Sequence, residues 1–265
     1  MVDRDNKLSV EFDQRANDRA VFCRSNTCGV PAMTQRVIAI GDVHGCAKAL
    51  RALIEVVQPQ SDDTLITLGD CVDRGPDSRQ VIDEMLSLRE RCKLVPLLGN
   101  HEEMMLNFLD GKPQPDNWLE VGGGATVESY RRTDGKLFPP PETHVEYIRT
   151  WGDFYETKSH FFAHGNYEPE RRLGDQHWQT MRWQSLKSST PGPHLSGKTA
   201  VVGHTSLKAG EALDLGYLVC IDTYCWGGGW LTALDTTTGK YWQVDRDGRQ
   251  RLEATTPQRA APWLD

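Results

Sequence analysis

Three turns of this sequence collect side chains able to hold a metal ion: Gly41-Asp42-Val43-His44-Gly45, Gly69-Asp70-Cys71-Val72-Asp73-Arg74-Gly75 and Gly99-Asn100-His101-Glu102. Two further histidines stand in small-residue turns, Ala163-His164-Gly165 and Gly203-His204-Thr205. Carboxylates and an amide carbonyl mixed with imidazoles suit borderline or hard divalent ions such as Mn²⁺, Fe²⁺ or Zn²⁺, whereas a thiolate-rich set would suit structural zinc. The candidates are more than one ion can use while keeping an open position. Two ions about 3.5–4 Å apart, sharing one aspartate, fit better. Asp70, central among the three turns, is the natural bridge.

Such residues meet only if the elements between them bring them together. The apolar run Val37 to Ile40 precedes a helical pattern near Cys46 to Val57, Thr64 to Leu68 precedes one near Asp77 to Glu90, and Lys93 to Leu98 precedes one beginning at His101. Ala47, Leu50, Leu53, Ile54 and Val57 draw one apolar face along the first helix, made to pack on a sheet. Strand and helix alternation of this kind predicts βαβ units, in which the loops leaving the carboxyl ends of neighbouring strands converge on one edge. All three metal-binding turns are such loops.

The stretch from about 111 to 152 is rich in Gly and Pro, with helical patches around Trp118 and Val145 to Trp151, and reads as an inserted cap. Beyond it, apolar runs at Phe161 to Ala163, Ala200 to Val202, Tyr217 to Ile221, Trp230 to Leu234 and Tyr241 to Val244 are spaced as an antiparallel sheet would be. Residues 1–34 read as a flexible N-terminal arm, 35–245 as the catalytic domain, and 246–265 as a polar, loosely packed C-terminal tail.

Composition sets the outer bounds. The 265 residues suffice for a core without staples, and 38% hydrophobic and 25% charged residues with a mean hydropathy of -0.54 in the full sequence describe a globular chain. A formal net charge of -7 argues against nucleic acid as a partner, so any affinity for phosphate must be local. No apolar stretch approaches a membrane span, and the charged start lacks the apolar core of a signal peptide, so the expected location is the cytoplasm. Seven scattered cysteines do not form a disulfide framework. Cys23 with Cys28 and Cys220 with Cys225 could together make a four-thiolate zinc site, but neither pair has the C-x2-C spacing of a zinc ribbon.

Taken together and in order, GDVHG, GDCVDRG, GNHE, AHG and GHT resemble the motif set of the calcineurin-like metallophosphoesterases. The form of the first three is similar to the phosphoprotein phosphatase branch, above all its compact bacterial and phage type. The motifs run from Gly41 to His204, with weaker likeness from about Arg36 to Asp235. The resemblance implies an α/β fold, a four-layer α/β/β/α sandwich around a dinuclear metal centre, with the helical cap as an insertion. It implies that Asp42, His44 and Asp70 bind the first metal, and Asp70, Asn100, His164 and His204 the second. His101 would be the general acid oriented by Asp73, with Arg74 and Asn100 on the substrate phosphate. Arg182 is the candidate for a second phosphate-gripping arginine, with Arg171 and Arg172 as rivals.

The chemistry of these residue types supports that assignment. A water bridging two divalent cations, Mn²⁺ first and Fe or Zn as alternatives, loses a proton near neutral pH and gives a hydroxide poised for in-line attack on phosphorus. The leaving oxygen must gain a proton, and a His-carboxylate dyad of His101 and Asp73 can supply it. Arg74 can meet phosphate oxygens bidentately. Diadenosine tetraphosphate hydrolases are similar too, including Gly75-Pro76, but typically lack the aspartate that stands here as Asp73. The expected function is therefore a metal-dependent phosphatase acting on phosphoserine and phosphothreonine of a protein or peptide, with phosphotyrosine as a further substrate. A symmetrical dinucleoside polyphosphate hydrolase is the alternative, and a non-catalytic phosphate-binding module a remote one.

Overall fold

The computed structural model describes residues 35–113, 117–131, 139–252 and 257–263. The expected N-terminal arm and the Cys23 and Cys28 pair lie outside the described residues.

The first half alternates as the apolar runs demand. Strand β1 (Val37–Ile40) leads to helix α1 (Ala47–Val57), β2 (Thr64–Thr67) to α2 (Ser78–Leu88), and β3 (Lys93–Pro96) to α3 (Asn100–Leu109). The three strands pair in parallel, β1 with β2 and β2 with β3. Two late strands, β9 (Trp230–Asp235) and β10 (Lys240–Asp245), extend this sheet antiparallel on the free side of β1, giving the order β10-β9-β1-β2-β3.

A second sheet has the order β4-β5-β6-β8-β7, formed by β4 (Phe154–Glu156), β5 (His160–Ala163), β6 (Thr199–Val202), β7 (Leu213–Asp214) and β8 (Leu218–Cys220). It is not the antiparallel sheet that the spacing of apolar runs predicts. Strands β5, β6 and β8 are mutually parallel, and only the edge strands β4 and β7 run against their neighbours. Spacing carries no strand direction, and the long connection from 164 to 198, which includes helix α6 (Trp178–Trp183), is a crossover of the length parallel pairing needs.

Alternation of side chains along each strand builds the layers. Ile38 and Ile40 of β1 face Leu50, Leu53 and Val81 of α1 and α2, while Ala39 between them faces the other sheet. Phe162, Val201 and Val219 meet Ala39, Ile66 and Leu68 in the seam between sheets. Their neighbours Phe161, Ala200 and Leu218 point outward to Leu173, Met181 and Leu186. The period of two thus divides one strand between two cores, and the result is the expected α/β/β/α sandwich. Each fully buried Leu, Ile or Phe contributes roughly 1.5–3 kcal/mol relative to exposure.

The insertion after α3 holds a π-helical turn (Leu119–Gly123), α4 (Gly124–Ser129) and α5 (Glu142–Arg149). It does not merely cover: Trp118, Tyr147, Ile148 and Trp151 are part of the helix-side core. The C-terminal residues also pack more closely than their polarity suggests. Arg251 pairs with Glu211, Gln258 bridges to Leu213, and Ala261 and Trp263 join the second sheet's outer core. Single apolar residues, one ion pair and one backbone bridge suffice for this, and none gives a periodic signal.

Candidate active site

Every one of the five motif turns leaves a strand end and enters one buried cluster. Within it His44, Asp70, Asp73, Arg74 and His204 all have positive φ, between 43° and 71°. For residues with a Cβ such backbone costs of order 1–3 kcal/mol each, and the surrounding structure must over-determine it. Much of that constraint comes from Glu102. Its fully buried carboxylate accepts N–H groups of Gly99 (2.9 Å), Asp70 (2.9 Å), Cys71 (2.7 Å) and Val72 (3.2 Å). One side chain thus fastens the second turn to the start of the third. Burial, then the Asp70 charge, pushes the Glu102 carboxyl up to about 7. The two glycines at Gly99 and Gly203 are needed for contact, since a Cβ at either would overlap a carboxylate oxygen, Asp70 Oδ1 and Asp42 Oδ1 respectively.

The cluster itself is tight. Asp70 Oδ2 lies 3.5 Å from His44 Nε2, Asp70 Oδ1 lies 3.3 Å from His164 Nε2, and Asn100 Oδ1 lies 3.1 Å from the same His164 nitrogen. The second nitrogens are anchored: His44 Nδ1 donates to Val72 O (3.0 Å), His164 Nδ1 to Leu68 O (2.7 Å) and His204 Nε2 to Trp183 O (3.0 Å). Those bonds fix which nitrogen of each ring faces the cluster, the one that would serve as ligand once an ion displaces any proton it carries. Asp42 accepts the His204 backbone N–H at 3.1 and 3.2 Å, tying the first turn to the last.

Two trios, His44 with Asp70 and His101, and Asp70 with His164 and His204, place one ligand atom each within 4.8 Å of the others. Asp70 belongs to both trios. His101 falls in the first trio and Asp42 does not, so proximity alone does not separate the acid from the ligands.

Electrostatics shows that the cluster suits cations. Burial, reinforced by Asp222 and Asp70, raises the Asp42 carboxyl well above the carboxylate range. Burial also opposes ionisation of Asp70, but the imidazoles of His164, His101 and His44 outweigh it and hold that carboxyl well below. His164 answers in kind: against its burial, Asp70 and Asp42 lift it to about 10. His204 is pushed down to about 4 by burial and then by His164. The protein alone therefore balances its buried carboxylates by keeping a proton on a fully buried imidazole, a task a divalent ion does better. Oxygen and imidazole donors in this arrangement fit Mn²⁺, Fe²⁺ or Zn²⁺. Even Arg74 responds, donating NH1 to His44 Nε2 at 2.7 Å, the nitrogen an ion would use.

Beside the cluster stands the expected dyad. Asp73 Oδ2 accepts from His101 Nδ1 at 2.7 Å, and its carboxylate is held by Trp118 Nε1 (2.7 Å) and Thr126 Oγ1 (2.6 Å) from the insertion. Asp73 is fully buried and His101 nearly so. Nothing in the sequence marks Trp118 and Thr126 as partners of Asp73, because 45 and 53 residues separate them from it. Asp222, buried and bonded to Ser206 Oγ (2.6 Å), is a further acid near Asp42 that no motif signals.

Arg182 sits apart from these contacts. It donates Nε to Asp153 (2.6 Å) and NH1 to Glu103 (3.1 Å), and lies over the Trp178 ring at 5.4 Å. Arg171 is likewise engaged, by Glu168. Cys220 and Cys225 are both buried, free thiols. Among the described residues no helix is long and apolar enough to cross a membrane.

A two-sheet sandwich with a histidine and aspartate cluster at the strand ends defines the calcineurin-like metallophosphoesterase fold. Residues 35–126 match the family model described as calcineurin-like phosphoesterase. A symmetrical bis(5'-nucleosyl)-tetraphosphatase of Proteus mirabilis is 48% identical over 68 residues, 25% of this chain and 24% of that protein. The chain thus spans about a quarter of the length of the curated relatives it matches. Two solved structures share the fold. One, described as a candidate diadenosine tetraphosphatase, has a TM-score of 0.62 and 22% identity, covering 81% of this chain and 95% of that one. The other, a cold-active protein-tyrosine phosphatase of a psychrophilic Shewanella species, has a TM-score of 0.60 and 18% identity, covering 84% and 80%.

Proposed function

We propose that this metallophosphoesterase is a phosphomonoester hydrolase that removes phosphate from phosphoserine and phosphothreonine, and also from phosphotyrosine. The observation that carries the reading is the 2.7 Å bond between His101 Nδ1 and the buried Asp73 carboxylate. An alkoxide is a strongly basic leaving group and needs a proton in the transition state, whereas the diphosphate leaving group of a dinucleotide does not. A fully buried dyad supported by Trp118 and Thr126 is suited to the harder task.

In this reading Asp42, His44 and Asp70, with Asn100, His164 and His204, hold two divalent ions. The ions, when bound, supply Lewis acidity and lower the pKa of water. Asp73 keeps the proton on His101 Nδ1, so that Nε2 can give its own to the leaving oxygen. Arg74 receives the phosphoryl oxygens, and Asn100 orients them.

A second reading is a symmetrical dinucleoside tetraphosphate hydrolase, favoured by the names of the curated relatives. Assaying phosphopeptides and diadenosine tetraphosphate side by side with Mn²⁺ decides between them. Faster cleavage of the phosphopeptides is expected, and exclusive cleavage of the dinucleotide would overturn the first reading.

A further inference from the structure

A cavity of about 370 Å³ opens beside Arg74, walled by Lys48, Asp77, Trp226, Arg246 and Asp247. Arg74 belongs to the cluster and the cavity at once, with NH1 against His44 and its guanidinium carbon 5.0 Å over the Trp226 ring. The charges on the wall do not balance. Lys48, Arg74 and Arg246 stand against Asp77 and Asp247, and Asp247 shares Arg249 with Asp245, each at 3.7 Å. Lys48 and Arg246 are exposed, and among the described residues neither forms an ion pair. The start of α1 adjoins the cavity with no acidic residue in its first turn and adds to the positive potential, whereas α2 begins at the N-cap Asp77, whose carboxylate offsets its own helix end.

We infer that this cavity is a subsite for an acidic side chain of a phosphopeptide, next to the phosphorylated residue whose phosphoryl group Arg74 receives. The inference rests on the phosphomonoester reading above. A carboxylate fits better than a nucleobase here, because Trp226 presents a face to Arg74 and makes edge contacts with Tyr224 (5.0 Å) and His44 (6.3 Å). Lys48 and Arg246 offer charge instead of stacking. In a chain of net charge -7, acidic peptides would otherwise be repelled, so this local excess of cations selects them.

The test compares two phosphothreonine peptides that differ only in flanking residues, aspartate and glutamate in one and lysine in the other. With the Mn²⁺-loaded full chain, kcat/KM should favour the acidic peptide about tenfold, equivalent to about 1.4 kcal/mol. High salt should shrink the ratio. Combining Lys48→Glu with Arg246→Glu should bring it to about one. A ratio near one in the unaltered protein while para-nitrophenyl phosphate is still cleaved would refute the subsite but not the hydrolase. A ratio unchanged by the double substitution would refute it as well, as would a raised KM confined to diadenosine tetraphosphate. Failure to cleave any monoester with metal present would remove the functional reading and this inference together.

Discussion

Asp73 and His101, 28 positions apart, are joined by a 2.7 Å bond between Oδ2 and Nδ1, with both side chains withdrawn from solvent. The bond orients the imidazole so that its other nitrogen, 3.9 Å from Asp70 Oδ2, faces the cluster. Asp73→Asn keeps the shape but puts an amide where the carboxylate accepts from His101 Nδ1. Its rate on phosphothreonine peptides should fall by about 10²–10³, within the range for general acid catalysis, and much less on para-nitrophenyl phosphate, whose leaving group needs little protonation. Steady-state rates on both substrates check this, and equal losses would contradict the acid role.

Metal binding and proton transfer should separate by mutation. Asp70→Asn should lower bound metal and activity together, because Asp70 is common to both trios. His101→Asn should keep most of the metal and cost on the order of 10²–10⁴ in rate on poor leaving groups. Metal analysis of the two purified variants beside their kinetics distinguishes them, and near-normal rates in both would contradict the assignment.

Glu102 should behave as a positioning residue. Glu102→Ala strips an acceptor from four backbone N–H groups, of Asp70, Cys71, Val72 and Gly99. A buried donor left unpaired costs roughly 1–3 kcal/mol, so a lowered melting temperature and weaker metal retention should appear together. Glu102→Gln, which keeps one carbonyl oxygen, should recover part of both. Thermal unfolding with and without added Mn²⁺ is the measurement.

Stability of the metal-stripped protein should depend on pH through His164. Its folded pKa of about 10 lies above the ordinary imidazole value, so its stabilising contribution is complete below about pH 6.5 and disappears as pH rises through about 10. Chelator-treated protein should therefore melt at progressively lower temperature from pH 7 to pH 10. Restoring Mn²⁺ should flatten that slope, since the ion replaces the proton as counter-charge to Asp70 and Asp42. A slope of the opposite sign, or one insensitive to metal, would contradict the electrostatic account.

The metal-binding turns are legible in the order of residues alone. Glycine-flanked aspartates and histidines after apolar runs are local signals, and the first half folds into the βαβ units that its periodicity predicts. The apolar face of α1 is buried as its spacing requires. Other features arise only once the layers pack. Strand direction in the second sheet depends on where long connections return, which the spacing of apolar runs does not encode. The support of Asp73 by Trp118 and Thr126, the four backbone bonds to Glu102, and the engagement of Arg182 by Asp153 and Glu103 join residues that are distant in the chain or silent in pattern. Composition and periodicity report how a side chain relates to its own helix or strand. They are blind to which buried donor meets which acceptor, because that pairing is fixed only when the layers close and every polar group in the interior must find a partner.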